Sequence, residues 1–246
     1  MNHLAEFQEH LVKSRRVVAL VGAGILVALG LPTFRGSDGL WKNYNMIDLA
    51  TPDAFHIDPG LVWQFYSWRR YQALQARPNK AHYAIAALLK SQKIDFATIT
   101  QNVDGLHSRL GHRPERLHEI HGNLFEVKCT NFTCTYHERN YRHPLTDGLQ
   151  GTEDEYDTNV NARGIRAKMG LMADNTGGSG TSSIASPQFR AVKELEEKHL
   201  PRCPVCSGLL RPGVVWFGEL LPLRELNDID DWMEEGPIDL ILVVGT

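Results

Sequence analysis

The sequence has no apolar segment long enough to cross a membrane and no excess of positive charge. Its longest run without a polar side chain, residues 17–31, contains three glycines and is shorter than the roughly 20 residues that a spanning helix needs. Lysine and arginine number 26 against 29 aspartates and glutamates, a formal net charge of −3, so the chain lacks the basic surface that duplex nucleic acid attracts. We therefore expect a soluble globular protein with no membrane partner and no direct nucleic-acid partner.

The N-terminus lacks the features of a targeting signal. Residues 1–16 mix Glu6 and Glu9 with Lys13 and two arginines in an amphipathic helical pattern, which fits neither a secretory signal nor an acid-poor transit peptide. This pattern predicts a cytoplasmic or nuclear protein, or a mitochondrial one if a presequence is missing. No sequence feature determines the oligomeric state, and we expect a monomer.

Cysteine is scarce, with four residues in the chain. Cys129 and Cys134 form one pair, Cys203 and Cys206 form the other, and none is left over. Without secretory features, a complete set of four thiolates favours one tetrahedral Zn²⁺ over disulfides, which remain the alternative. Because four thiolates would fill the coordination sphere, this ion would be structural.

Apolar strands and helical patterns alternate along much of the chain. A strand ends at Val21 before a glycine turn and a predicted helix, helical patterns cover residues 61–74 and 80–90, and further strands cover residues 95–100 and 238–244. This alternation predicts the α/β class, with a Rossmann-like parallel sheet and a small zinc-binding domain. Ligands of such sheets bind beyond the carboxyl ends of the strands.

Glycines follow the first predicted strand. Gly22-Ala23-Gly24 would let the backbone turn tightly and let a pyrophosphate approach a helix N-terminus, whose unpaired N–H groups favour anions. Alone, a Gly-x-Gly pattern more often marks an ordinary tight turn. The continuation Gly30-Leu-Pro-Thr33-Phe34-Arg35-Gly36 makes the pattern specific.

Three motifs together resemble the sirtuin family. They are the glycine turn with its continuation, the loop Gln101-Asn102-Val-Asp104-Gly-Leu-His107, and the segment Leu117-His-Glu-Ile-His121-Gly122. The resemblance covers nearly the whole chain outside about residues 137–200. It implies an NAD-dependent deacylase that removes acyl groups from lysine side chains of proteins or peptides, with free lysine, nicotinamide and O-acyl-ADP-ribose as products.

The resemblance also implies roles for individual residues. His121 would be the catalytic general base, because an imidazole accepts a proton near neutral pH. Gln101 and Asn102 would contact the nicotinamide ribose and ordered water, and Asp104 would hold the nicotinamide carboxamide. The full cofactor-binding set is Gly22, Ala23, Gly24, Thr33, Phe34, Arg35, Gln101, Asn102, Asp104, Gly245 and Thr246.

A helical segment carries the information on substrate specificity. Tyr66 and Arg69 are three residues apart and share a helix face, where a phenol and a guanidinium can hold a carboxylate. On composition alone, a solvated basic patch would be the preferred interpretation. The Tyr-x-x-Arg pattern resembles the desuccinylase, demalonylase and deglutarylase branch of sirtuins, in which a small residue, matched by Ala50, widens the acyl pocket. We therefore expect succinyl, malonyl and glutaryl groups to be preferred over acetyl.

A second segment resembles the part of sirtuins that binds the substrate backbone as an added strand. It consists of Val215, Trp216, Phe217, Gly218 and Glu219. A buried hairpin strand is the alternative interpretation, and the two aromatic residues fit either.

The resemblance divides the chain into two domains. Residues 1–128 and 208–246 would form the Rossmann-like NAD-binding domain, and residues 129–207 would form the small zinc-binding module. Residues 137–200 are polar, and their Gly/Ser-rich middle cannot bury enough apolar surface to offset the entropy of ordering. We expect a disordered insertion there.

Two features favour another function. Leu26 and Leu29 stand where the family has serine, and apolar side chains there would leave polar groups unpaired when NAD binds. Gly245 and Thr246 directly follow the last strand, where this fold places another ligand loop and further strands, so we expect a truncated domain. Both features favour a catalytically impaired sirtuin fragment that binds an acyl-peptide or a protein partner. Mono-ADP-ribosyl transfer is a further alternative.

Overall fold

The computed structural model describes residues 3–31, 40–152 and 192–246. Three predicted cofactor-binding residues, Thr33, Phe34 and Arg35, lie outside the described residues, as does the Gly/Ser-rich middle of the predicted insertion. In the part of the chain that is described, no helix combines the length and the apolar character needed to span a bilayer.

Strands and helices alternate as the sequence pattern predicts. Within the described residues the strands are β1 (Arg16–Val21), β2 (Leu40–Trp41), β3 (Tyr44–Asn45), β4 (Asp95–Thr100), β5 (Leu117–Glu119), β6 (Gly122–Cys129), β7 (His137–Arg139), β8 (Leu210–Val214) and β9 (Leu240–Val244). The α-helices of the same residues are α1 (His3–Lys13), α2 (Met46–Leu49), α3 (Pro52–Ile57), α4 (Pro59–Gln75), α5 (Lys80–Leu89), α6 (Leu106–Arg109) and α7 (Leu223–Glu234). The predicted helices correspond to α4 and α5, and the predicted second and last strands correspond to β4 and β9.

The main sheet is parallel, with its described strands in the order β5-β4-β1-β9. Val17 of the central strand β1 aligns with Phe96 of β4 and with Leu240 of β9. Strand β1 is buried on both faces, because Val17 packs into one apolar cluster and Val18 packs into another with Trp232 of α7. A parallel sheet covered by helices is the predicted α/β architecture.

Helix α4 forms the centre of a second apolar core. The Asp58 side chain caps the helix by accepting a hydrogen bond from the Leu61 N–H at 2.8 Å, and Pro59 stands in the first turn, where its missing N–H is tolerated. The middle of the helix is buried around its whole circumference. Trp63 ties it to the second sheet, since the indole Nε1–H donates to the Leu210 carbonyl of β8 at 2.8 Å.

The second sheet is antiparallel, in the order β7-β6-β8 among the described strands. The prediction of a disordered insertion over about residues 137–200 is wrong at both ends of that range. Leu149 and Leu200 are buried in the core around α4, and Arg70 of α4 donates to the Asn140 carbonyl at 2.7 Å. A few apolar anchors order the ends of a polar stretch, and a composition averaged over the whole range hides them.

Candidate functional site

A cavity of about 770 Å³ opens where β1, β4 and β9 end. The predicted site residues that line it are Ala23, Gly24, Ala50, Tyr66, Arg69, Gln101, Asn102, Asp104, His121, Val215, Trp216, Phe217, Gly218, Glu219, Gly245 and Thr246. Sequence reasoning did not assign Gln72 and Ala73, which also line the cavity. The signal was available, because Gln72 follows Arg69 by three residues and Ala73 follows Tyr66 by seven, so all four share a face of α4.

The glycine turn and the end of β9 approach each other closely. The Gly22 N–H donates to the Val244 carbonyl at 2.9 Å, and the Gly24 N–H donates to the Gly245 carbonyl at 2.6 Å. A Cβ atom on Gly24 would lie 2.8 Å from the Gly245 Cα, and a Cβ on Gly22 would lie 2.6 Å from the Gly245 oxygen. Gly245 has a φ of +66°, a conformation that favours glycine. The glycines are therefore required for backbone packing between two strand ends.

A helix follows this turn as predicted, and it is a 3₁₀ helix, Ala23–Leu29. The Gly24 N–H is bonded to Gly245, so it is not an open donor for a pyrophosphate in this structure. Gly30 ends the segment in the left-handed region, with its N–H bonded to the Val27 carbonyl. Of the two leucines that depart from the family pattern, Leu26 is buried and lines the cavity, whereas Leu29 packs against the cluster beneath β1.

Asn102 joins the loop after β4 to the glycine turn. Its side-chain Nδ2–H donates to the Gly22 carbonyl at 3.0 Å, and its backbone N–H donates to the Thr100 hydroxyl at 3.1 Å. The preceding Gln101 N–H donates to the Val21 carbonyl at 2.9 Å. These bonds hold the loop in one position beside the turn.

His121 enters the cavity from the start of β6. Its Nδ1 lies 2.9 Å from the Gln101 carbonyl oxygen. Because a carbonyl only accepts hydrogen bonds, Nδ1 carries the proton, which leaves Nε2 of the neutral ring as an acceptor. Gly122, at a φ of +73°, allows β8 to approach, since a Cβ there would lie 2.2 Å from the Gly213 carbonyl oxygen. The imidazole is thereby held with a basic nitrogen in a cavity wall.

Asp104 is a buried acid in the same wall. Its Oδ1 accepts the Leu106 N–H at 2.7 Å, while its Oδ2 has no hydrogen-bond partner among the described residues. Burial raises the pKa of Asp104 to about 6, against the opposing effects of the Leu106 N–H and of Arg69. A buried oxygen without a donor suits an N–H group of a ligand.

Tyr66 and Arg69 line the cavity on its α4 side, with Arg69 close enough to Asp104 for each to affect the pKa of the other. The Tyr66 hydroxyl is buried and accepts a hydrogen bond from the Trp216 indole Nε1–H at 3.0 Å. Burial raises the pKa of Tyr66 to about 12, against the opposing effect of Arg69. Burial lowers the pKa of Arg69, and the hydrogen-bonded Tyr66 and the nearby Asp104 partly restore it. Ala50, 2% exposed, completes this wall.

Residues 215–219 form a loop that lines the cavity between His121 and Ala50. Strand β8 ends at Val214, so the loop is not itself a strand. The Val215 N–H donates to the His121 carbonyl at 2.8 Å, and the Phe217 N–H donates to the Ala50 carbonyl at 2.9 Å. These two main-chain donors therefore attach the loop to both walls.

Glu219 supports the loop from within. Its carboxylate receives both guanidinium nitrogens of Arg211, at 2.5 and 2.8 Å, and the Trp216 backbone N–H at 2.8 Å. With three donors on one carboxylate, the predicted substrate-binding residue Glu219 primarily holds its own loop in shape.

The four cysteine thiols lie together at one end of the antiparallel sheet. All four Sγ atoms are within 4.8 Å of one another. The shortest separations, 3.4 Å for Cys129 and Cys206 and 3.7 Å for Cys134 and Cys203, exceed the roughly 2.05 Å of a disulfide. They are close to the separation of about 3.8 Å that a tetrahedral Zn–thiolate site with bonds of about 2.3 Å requires. The cluster therefore fits one zinc ion.

Comparison with known proteins gives consistent findings. Residues 22–246 match the model of the Sir2 family. A Candida albicans protein named NAD-dependent protein deacylase is 58% identical, covering 99% of this chain and 78% of that protein. The Xenopus tropicalis protein named NAD-dependent protein deacylase sirtuin-5, mitochondrial, is 36% identical, covering 100% of this chain and 69% of that protein. A crystal structure of a Sir2 homologue in complex with NAD has a TM-score of 0.68 at 33% identity, covering 98% of this chain and 72% of the other.

Proposed function

The chain belongs to the Sir2 family, and from that premise we propose that it is an NAD-dependent deacylase of protein lysine side chains with a preference for acidic acyl groups. The observation that carries the proposal is His121, whose Nδ1–H bond to the Gln101 carbonyl leaves Nε2 as an acceptor in the cavity beside the glycine turn.

NAD fits the cofactor end of the cavity. The unpartnered Oδ2 of Asp104 lacks the N–H donor that a nicotinamide carboxamide carries. Ala23, Gly24, Gln101 and Asn102 would hold the rest of the cofactor, since they line the same wall. When bound, NAD supplies the ribose carbon that accepts the acyl oxygen and releases nicotinamide.

The residues of the chain have separate tasks in this reaction. The Nε2 of His121 would accept a proton from a ribose hydroxyl, and the Gln101 carbonyl would stabilise the imidazolium by accepting its Nδ1–H. Phe217 and Leu26 would shield the reacting atoms from water, as both line the cavity.

The preference for succinyl, malonyl and glutaryl groups rests on Tyr66 and Arg69. A guanidinium offers a planar fork of donors that matches a carboxylate, and the Tyr66 hydroxyl adds a neutral donor at the same place. An acetyl group has no charge to place there and would leave this end of the cavity polar and unfilled. Each charge-assisted hydrogen bond contributes about 1.5–3 kcal/mol.

A direct test is NAD-dependent nicotinamide release from succinyl-lysine and acetyl-lysine peptides. The wild-type chain should prefer the succinyl peptide, and Arg69→Met should reduce that preference by roughly 10- to 100-fold. Arg113→Met, at an exposed arginine outside this cavity, is the matched control and should leave the preference intact. A succinyl preference that survives Arg69→Met contradicts the role of Arg69.

The same assay addresses the second candidate, a catalytically impaired module that binds an acyl-peptide. Leu26 in the cavity wall favours it, because this side chain offers no hydrogen bond to a bound cofactor. Succinyl-peptide binding by calorimetry without nicotinamide release would support the binding module, and turnover would support the enzyme.

The four thiols would hold one structural Zn²⁺, with no position left for water. Metal analysis should find about one zinc per chain in the wild type and loss of that zinc in Cys203→Ser. As to location, a cytoplasmic or nuclear site stays a prediction, and the mitochondrial name of the Xenopus relative supports the mitochondrial alternative.

A further inference from the structure

Trp216 connects the loop of residues 215–219 to Tyr66, which with Arg69 and Ala50 forms the acyl end of the cavity. We propose that Trp216 is a positioning residue for acyl selection: its indole N–H occupies the Tyr66 oxygen, so that the Tyr66 O–H is directed to a ligand carboxylate, and the Arg211–Glu219 pair holds the indole in place. This inference rests on the proposed preference for acidic acyl groups.

The Tyr66 hydroxyl has one hydrogen-bonding group left for a ligand. An indole nitrogen only donates, so in the 3.0 Å contact the phenol oxygen accepts. The Arg69 guanidinium lies beside the same phenol, its central carbon 6.0 Å from the ring centroid, and it too can only donate. The phenol oxygen therefore accepts, its own O–H is left to give, and neither of these two neighbours offers it an acceptor. A carboxylate in the cavity would be that acceptor.

Neighbouring side chains hold the indole ring of Trp216 in place. The Arg211 guanidinium lies over the ring, 3.6 Å from its centroid, and the Phe55 ring packs against it with centroids 5.2 Å apart. Arg211 is itself held by the two oxygens of Glu219, at 2.5 and 2.8 Å, and Glu219 also accepts the Trp216 backbone N–H. The indole therefore has little freedom to rotate away from Tyr66.

Burial also fixes the protonation state of the Tyr66 phenol. Burial holds the pKa of Tyr66 near 12, so the hydroxyl stays protonated and remains a donor throughout the physiological range. An incorrectly oriented phenol would instead present a lone pair to the incoming carboxylate, which is repulsive. Orientation by Trp216 thus decides the sign of the interaction.

The test is a double-mutant cycle with Trp216→Phe, Tyr66→Phe and the double variant, measured on succinyl- and acetyl-lysine peptides. If Trp216 acts through Tyr66, each single change should lower succinyl kcat/KM by roughly 10-fold, mainly through KM, and the double variant should be no worse than Tyr66→Phe. Because Trp216 and Tyr66 also line the cavity that an acetyl peptide would use, acetyl kcat/KM should fall too, but by less than the succinyl value, so the succinyl-to-acetyl ratio should fall. Calorimetric Kd values for the succinyl peptide, measured on the same four proteins, give the same double-mutant cycle for binding alone.

Equal losses on both peptides, or additive losses in the double variant, would overturn the inference and leave Trp216 as an apolar wall. Replacing Trp216 with 3-benzothienylalanine, which keeps the ring shape and removes the N–H, covers the case in which Trp216→Phe does not fold. If the wild type shows no succinyl preference, the proposed acyl selectivity fails together with the inference. If the preference is present and the cycle is additive, the inference alone fails.

Discussion

The two ends of the cavity are built in different ways. At the cofactor end, each contact involves main-chain atoms. The glycine turn packs directly on Gly245, the Asn102 side chain donates to the Gly22 carbonyl, and the His121 ring bonds to the Gln101 carbonyl. At the acyl end, side chains on one face of α4 meet side chains of the loop after β8.

This difference predicts which changes are selective. A change at the cofactor end disturbs backbone positions that every substrate needs, so its effect should be the same for all acyl groups. If Tyr66 and Arg69 bind acidic acyl groups as proposed, a change at the acyl end alters a group that only some substrates contact. Measuring kcat/KM on succinyl and acetyl peptides for each variant therefore tests whether the two ends of the cavity act separately.

The largest effect is expected at His121. His121→Asn removes the basic nitrogen and should lower kcat by roughly 10²- to 10⁴-fold on both peptides, because the same proton transfer serves every acyl group. His56→Asn, at an exposed histidine of α3, should have no effect. If His121→Asn lowered kcat on only one of the two peptides, the cofactor end and the acyl end would not act separately.

A smaller effect on both peptides is expected at the glycine turn. In Gly24→Ala the new Cβ would lie 2.8 Å from the Gly245 Cα, and strand ends packed backbone to backbone cannot yield cheaply. We expect the free energy of unfolding to fall by roughly 2–3 kcal/mol, with weaker activity on both peptides. The matched control is Gly236→Ala, whose Cβ would meet no backbone and only side-chain atoms of Arg16, the nearest at 3.3 Å. Equal free energies of unfolding for Gly24→Ala and Gly236→Ala would contradict the close packing of Gly24 on Gly245.

The cofactor end should also be the acid-sensitive end. His82, His107 and His112 are buried in contact, with ring centroids 5.0 and 4.9 Å apart along the series. Burial lowers their pKa values to about 4, 3 and 4. His107 follows the Asp104 loop, and Asn79, which contacts His82, donates to the Ile25 carbonyl at 2.7 Å.

Because these folded-state pKa values lie below the ordinary 6.5, the unfolded chain takes up protons first as the pH falls. The stability contributed by the neutral rings should be complete above pH 6.5 and should decline towards pH 4, by up to about 1.4 kcal/mol per pH unit per histidine. Asp104 has the opposite effect and offsets about one histidine's share of this loss. Its raised pKa means that the folded state binds a proton below about pH 6, before the unfolded state does.

Urea unfolding at pH 7 and pH 5 measures this effect. His107→Phe should reduce the difference between the two pH values by about 1–2 kcal/mol, whereas His56→Phe should leave it unchanged. An unaltered difference in His107→Phe would mean that the buried cluster does not control acid sensitivity.

The smallest effect, and the most selective, is expected at Ala50. This side chain is 2% exposed in the cavity wall, so Ala50→Val should narrow the acyl end. We expect roughly 10-fold loss of kcat/KM for glutaryl peptides, less for malonyl and least for acetyl. A uniform loss across the three peptides would place Ala50 in the support of the Phe217 loop, whose N–H it accepts.

Local sequence patterns predicted much of the fold and part of the site. The strand at residues 95–100 follows from its strand-forming residues and helix α4 from its cap and helix-forming residues, which act over a few neighbouring positions. The 3₁₀ geometry of Ala23–Leu29 could not be predicted in this way, because it accompanies the packing of Gly24 on Gly245, far away in the chain. The buried anchors Leu149 and Leu200 were missed for the same reason.

The sequence by itself determined the α/β class and the four clustered thiols through composition, spacing and periodicity, and it determined the motif residues that line the cavity through their resemblance to a known family. Only the tertiary structure decided how those residues act together: the Nδ1 proton of His121, the unpartnered oxygen of Asp104, and the chain of contacts from Glu219 through Trp216 to Tyr66. The physical reason is the separation along the chain over which each kind of interaction acts. Periodicity and capping depend on near neighbours in the chain, whereas hydrogen-bond direction and burial depend on groups that meet only when distant segments pack.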